Sequence, residues 1–191
     1  KDTGADAICI AHHRDDSVET VLLNLIRGTG IKGLTGIKPR NGHIIRPLLC
    51  VSRQEIEDWL LQEGQPYITD STNLETDYTR NKIRLQLLPL MRSINPDADN
   101  AIATTAAHLQ ESYAIYSNAV DNALDAIVTK SDDGFTIDIP QLLRQPSVSA
   151  VLFEILSPLG FNSAQINDVA VSAHAQPGLR FRSATHEIIK G

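Results

Sequence analysis

The chain has 191 residues, 42% of them hydrophobic, 21% charged and 5% aromatic. That is enough apolar material for one or two modest cores, and it excludes a disordered or collagen-like chain. The formal net charge of −6 rules out recruitment of nucleic acid by bulk electrostatics, and no apolar run reaches membrane-spanning length.

Charge is nevertheless distributed unevenly. Between Arg80 and Arg92 lie four basic residues (Arg80, Lys82, Arg84, Arg92) and no acid, whereas Asp97 to Asp138 holds eight acids and one lysine, Lys130. A polyanion would meet the first stretch and avoid the second. Cys9 and Cys50 lie in apolar surroundings without CxxC spacing, so they are read as small core residues in a reducing, cytoplasmic setting. The chain opens at Lys1 and enters an apolar segment almost at once, which reads as a piece of a longer protein.

In chain order, Ala5–Ala11 is a short apolar run suited to a buried strand of a parallel sheet. Val18, Val21, Leu22, Leu25 and Ile26 then recur at helical spacing, with Asp15 or Asp16 placed to cap a helix running to Arg27. Gly28, Gly30 and Gly33 break it. A strand is expected over His43–Leu49. Ser52 and Glu55 form a capping box for a helix carrying Ile56, Trp59, Leu60 and Leu61. Gly64–Asn73 reads as irregular, with a short βα connection around Tyr67–Ile68. Tyr78–Met91 is helical, bent or ended near Pro89. Beyond Pro96 come a long alanine-rich helix over Ala101–Val128, a strand at Phe135–Ile139, helices over Gln141–Leu156 and Ser163–Ala173, and a small sheet within Gly178–Ile189. The fold class is α/β: a partial parallel-sheet domain over residues 1–95, followed by a mainly helical domain over 96–191.

Three stretches can carry chemistry. His12-His13-Arg14-Asp15-Asp16-Ser17-Val18-Glu19-Thr20 lies where a strand becomes a helix, the place where ligands collect in open α/β sheets. Asp16 and Glu19 share a helical face and could hold magnesium; His12 or His13 could contact a nucleotide whose negative charge meets the helix N-terminus. Acids in a first helical turn are also favourable against the dipole alone, and a zinc site from the two histidines, Asp16 and Glu19 is a weaker alternative. The glycine loop Arg27–Gly36 follows a helix and lacks Walker spacing, so it reads as a helix exit or as a flexible segment whose Arg27 and Lys32 meet phosphate. Asp70–Asn73 is turn-forming. Arg80 and Arg84, four apart, either repel on a solvated helix face or meet a bound phosphate.

Together, AHHRDDSVET, RGTGIKGLTGI, IIRPLL, ITDSTN and YTRNKIRLQLLPLM resemble, in that order, the tRNA(Ile)-lysidine synthase family of ATP pyrophosphatases. The resemblance is strong over roughly residues 5–95 and weak beyond. It implies an adenine nucleotide alpha hydrolase-like domain using ATP and Mg2+, with isoleucine tRNA bearing the CAU anticodon and free L-lysine as substrates. It implies Asp16 and Arg80 as catalytic residues, Asp16 as metal ligand, His12, His13, Glu19 and Asn81 around the nucleotide, and Arg46 and Asp70 as pocket or supporting positions. A homodimer is implied as well. Such enzymes carry an SGGxDS loop, and none occurs in this sequence; the chain alone is therefore expected not to adenylate, and its incomplete sheet is expected to leave an edge for a partner copy. A related tRNA thiolase, which calls for paired cysteines, and a non-catalytic tRNA-binding scaffold built on Arg80–Arg92 are the competing readings.

Overall fold

The structure is a computed structural model that describes residues 4–68, 78–132 and 134–191. Asp70 and the rest of the Asp70–Asn73 turn lie outside the described residues. The chain divides into two compact units, Lys1–Ala114 and Ile115–Gly191. An N-terminal α/β unit is followed by a largely helical one, the expected fold class.

The first unit contains a three-stranded sheet in the order β1 (Ile8–Cys9), β3 (Ile44–Ile45), β2 (Arg40–Asn41). β1 pairs parallel with β3, in the register Ile8↔Ile44, and the pairing is continued by Ile10 N–H donating to the Ile45 carbonyl at 2.9 Å. β2 and β3 form an antiparallel hairpin. Its two-residue turn needs a left-handed residue to match strand twist, and Gly42 supplies it at φ +58°. The strand expected over His43–Leu49 is thus shortened to two residues. Pro47 has no N–H for the ladder, and the chain winds into a 3-10 turn over Pro47–Cys50.

Helix α1 (Arg14–Ile26) runs from the β1 end, and α2 (Arg53–Gln62) opens on the expected capping box: Ser52 Oγ accepts from Glu55 N–H at 3.1 Å, and Glu55 accepts from Ser52 N–H at 2.6 Å. Helix α3 (Tyr78–Lys82) passes into a π turn (Ile83–Leu87) and then α4 (Leu88–Ile94). The π turn explains how the helix survives Pro89. Leu88 N–H reaches back five residues to the Ile83 carbonyl, and the widened turn absorbs the missing donor and the ring. The core of this unit is Val18, Leu22, Leu23, Ile83 and Leu88, with Met91, Ile102 and Ala103 packed on it.

Both cysteines are exposed, which corrects their reading as core residues. β1 sits at an edge of the sheet, and Ile8 beside Cys9 is itself 61% exposed, so the described residues leave this apolar strand uncovered. Cys50 stands at the end of the Pro47–Cys50 turn, its thiol 3.6 Å from the Pro47 carbonyl.

Helix α5 (Ala98–Ile127) enters through Asp99, whose carboxylate receives Arg92 Nε at 2.6 Å and Nη2 at 2.8 Å. In the second unit, β4 (Val128–Ser131) and β5 (Gly134–Ile137) form one hairpin and β6 (Arg180–Arg182) and β7 (Glu187–Ile189) another. The single helix expected over Gln141–Leu156 is two, α6 (Ile139–Leu142) and α7 (Val148–Leu156). Pro146 disfavours helix at its predecessor, and Ser147 restarts the winding by accepting the Ala150 N–H at 3.2 Å. With α8 (Ser163–Ser172) these elements bury Ile127, Leu142, Leu152, Leu156, Phe161 and Ile166.

Two outcomes follow. Leu152→Ala, at a side chain 1% exposed, lowers unfolding free energy by about 2–5 kcal/mol, read from urea denaturation of the chain. The Arg92 guanidinium bonded to Asp99 holds that carboxyl below its ordinary value of 3.8. Its stabilisation is complete above that pH and is lost as pH falls through the lowered value. Asp99→Asn therefore lowers the melting temperature at neutral pH and flattens this part of the acid limb of a melting-temperature profile.

Candidate functional site

The N-terminal turn of α1 is the convergence point of the first unit. The β1 strand delivers the chain to His12 and His13, and the Arg14 N–H donates to the Val51 carbonyl at 2.8 Å, fixing the helix entry beside α2. The Asp15 carboxylate accepts the Arg53 N–H at the start of α2 at 3.1 Å, and Arg14 Nη2 donates to Glu55 at 3.0 Å. Asp15 is thereby occupied in joining two helix N-termini, where a negative charge is favoured.

Asp16 folds back on its own helix start. Its Oδ2 accepts His13 N–H at 3.0 Å and lies 3.5 Å from His13 Nε2. Its Oδ1 accepts no hydrogen bond among the described residues, and the carboxylate is 17% exposed. Within the described residues, His13 Nδ1 and Arg14 Nε are buried without a hydrogen-bond partner. Buried polar atoms of this kind are uncommon and want a partner. His12 Nδ1 accepts from Arg46 Nε at 3.2 Å, and Arg46 Nη1 donates to the Lys38 carbonyl at 2.8 Å. The structure thus brings Arg46 to His12, and His13 to Asp16.

One turn further along α1, Glu19 is 1% exposed. Arg84 holds it in a fork, Nε to Oε1 at 2.6 Å and Nη2 to Oε2 at 2.9 Å, and Arg80 Nε stands 3.2 Å from Oε2. Arg80 Nη2 also donates to Thr20 Oγ1 at 3.0 Å, and that hydroxyl donates to the Asp16 carbonyl at 2.7 Å. Arg84 is held charged further above its ordinary range, chiefly by its bonds to Glu19, against the effect of burial, and with help from the nearby charges of Glu19, Asp16 and Asp15. Asn81 is half-buried between the two arginines in sequence. The like-charge spacing of Arg80 and Arg84 was legible in the sequence. Their pairing with Glu19, more than sixty positions upstream, carried no local signal, and Thr20 and Arg14, though inside the polar cluster, were given no individual role.

The glycine loop packs back on the same helix. Asn24 Nδ2 donates to the Gly33 carbonyl at 2.8 Å, and Ser17 Oγ accepts the Ile37 N–H at 3.0 Å. Gly36 adopts φ +69°, and a Cβ there would stand 2.5 Å from Ser17 Oγ. This glycine is required by close approach as well as by backbone conformation. Arg27 and Lys32 are exposed.

Residues 1–91 match the model of the PP-loop domain, and residues 130–191 that of the TilS substrate binding domain. The tRNA(Ile)-lysidine synthase of Bacteroides thetaiotaomicron is 56% identical over 190 residues, which is 100% of this chain and 44% of that protein. The chain belongs to the tRNA(Ile)-lysidine synthase family. The family enzyme of Parabacteroides distasonis is 48% identical, with 98% of this chain and 42% of the relative covered. That of Porphyromonas gingivalis is 38% identical, with 100% and 41% covered. The chain therefore spans less than half the length of these relatives.

Membership implies ATP and magnesium, and the residues present fit them. Magnesium takes hard oxygen ligands and usually keeps waters, binding one or two carboxylates plus phosphate. Asp16 Oδ1 meets that need, although among the described residues no group of three or more His, Cys, Asp or Glu side chains is gathered for a metal. No helix among the described residues is long and apolar enough to cross a membrane. Gly36→Ala is expected to cost about 1–3 kcal/mol and to loosen the Ser17–Ile37 contact; a lowered melting temperature, with faster amide exchange at Ile37, checks it.

Proposed function

We propose that this chain is part of an enzyme that ligates free L-lysine to C2 of the wobble cytidine of isoleucine tRNA with the CAU anticodon, through an ATP-dependent adenylated intermediate. The observation that supports this reading best is the convergence on the start of α1, over its first two turns, of His12 with Arg46, His13 with Asp16, and Arg80 bound through Thr20 and Glu19. Anion-binding elements and an open carboxylate oxygen stand side by side there.

On this reading Asp16 would hold the magnesium ion and His12, His13 and Asn81 line the nucleotide site, with Glu19 close by, buried behind them and held by Arg84 and Arg80. Arg46 supports His12, and Asp70, outside the described residues, is assigned a pocket or supporting role by the family resemblance alone. Bound magnesium supplies charge neutralisation on the phosphates. Arg80 offsets the negative charge that builds toward pyrophosphate as the cytidine oxygen is adenylated. The lysine amine must be neutral to displace AMP, so a carboxylate takes its proton. Holding the activated base and the amine together supplies much of the remaining acceleration. The anticodon base is read as an extruded nucleotide, which suits an enzyme whose net charge is negative. The partners are the tRNA, free lysine and a second copy of the chain, and the setting is the cytoplasm.

A non-catalytic tRNA-binding scaffold on the basic run is less well supported. Arg84 and Arg92 direct their guanidinium groups at Glu19 and Asp99, so that run carries less charge toward a polyanion than its sequence suggests.

Transfer of radiolabelled lysine to isoleucine tRNA tests the reading. A protein extended to the length of its relatives is expected to transfer label with ATP and magnesium present. Asp16→Ala reduces kcat at least about 100-fold, and the chain as it stands, without an SGGxDS motif, transfers none. A folded extended protein that leaves the tRNA unlabelled would sink the proposal.

A further inference from the structure

Arg84 has no task in the scheme above, yet it makes the shortest ion pair of the site. Its fork on Glu19 closes at 2.6 and 2.9 Å around a carboxylate that is 1% exposed. A buried carboxylate accepts such a fork only with its plane fixed, because both oxygens must face the planar guanidinium. Glu19 Oε2, the oxygen that Arg84 Nη2 holds, also forms an ion pair with Arg80 Nε at 3.2 Å. Arg80 is held from its other side by Thr20 Oγ1, itself tied to the Asp16 carbonyl. The two arginines are four positions apart, and Arg84 lies in the π turn directly after α3, next to the buried Ile83.

We infer that Arg84 is a positioning residue: through Glu19 it sets the height and tilt of the Arg80 guanidinium over the first turn of α1. Glu19 acts here as the coupler between two arginines. The inference rests on the proposed reading for the task of Arg80, while the geometry it describes is independent of that task. Lysine in place of Arg84 keeps the charge but offers a point donor without a fork. The carboxylate then turns, and Arg80 loses its contact with Glu19 while keeping the one to Thr20.

The test uses the full-length protein with Arg84→Lys, Arg80→Ala and the double variant. Arg84→Lys is expected to lower kcat for lysine transfer roughly 10- to 100-fold, as a misplacement of about an ångström does, with KM for ATP and lysine changed less than about threefold. In the Arg80→Ala background the same substitution changes kcat less than about twofold, since a residue that works through Arg80 has nothing left to position. Losses that multiply in the double variant overturn the inference. A second readout needs no turnover. In the ligand-free protein the Arg80 Nε–H resonance is expected to be protected from solvent exchange in the wild type and to become solvent-like in Arg84→Lys. An unchanged Arg80 signal also overturns it. If the wild type transfers no lysine, the functional reading falls, and the Arg80 resonance alone decides the positioning claim. Glu19→Asp, which shortens the reach from the other side, replaces Arg84→Lys with the same expectations if the latter loses its cooperative melting transition.

Discussion

Glu19 is a carboxylate taken almost entirely out of water in the middle of α1, and the architecture of the first unit is arranged around satisfying it. An unpaired carboxylate in such a position would cost several kcal/mol. The repulsion between two arginines four apart is worth only about 0.2–0.5 kcal/mol. The second cost is the smaller by far, so α3 and the π turn present both cations to one anion. That choice fixes which face of the helix beginning at Tyr78 meets α1. It also places Ile83 and Leu88 against Val18 and Leu22. Core packing and site electrostatics are in this sense one arrangement.

The same economy appears at the helix N-termini. Asp15, Asp16 and Glu55 each serve as a cap or a bridge before any ligand is considered. Asp15 ties α1 to α2. Asp16 closes on the His13 backbone with one oxygen and keeps the other open. Two adjacent aspartates of identical chemistry are thereby given different environments by the direction their side chains leave one turn of helix.

Much of this was legible in the sequence where the signal is local. The 3.6-residue period of Val18, Val21 and Leu22, the Ser52–Glu55 box and the alanine-rich stretch of α5 each specify structure within a few residues of themselves. So does the polar cluster around Asp16, at the junction of strand and helix. Readings that depended on distant partners fared differently. Cys9 looks like a core residue because Ile8 and Ile10 flank it, but burial of a strand requires neighbours on both sides, and an apolar run does not supply them. Pro146 divides α6 from α7 although the apolar pattern continues across it, because periodicity registers faces and is blind to a missing donor. The pairing of Glu19 with Arg84 spans 65 positions, and no window of sequence contains both.

The π turn at Ile83–Leu87 bears on how this segment tolerates change. It holds one residue more per turn than an α-helix, so it shifts the angular phase of everything on its N-terminal side relative to α4. Losing a single residue there would return Pro89 to a regular helical turn, with its missing donor and its ring no longer accommodated. It would also swing Arg80 and Arg84 by about 100° about the axis, away from their shared carboxylate. Residue identities on the outer face of this stretch are free to drift, while its length is not. The segment behaves as a spacer with a fixed count.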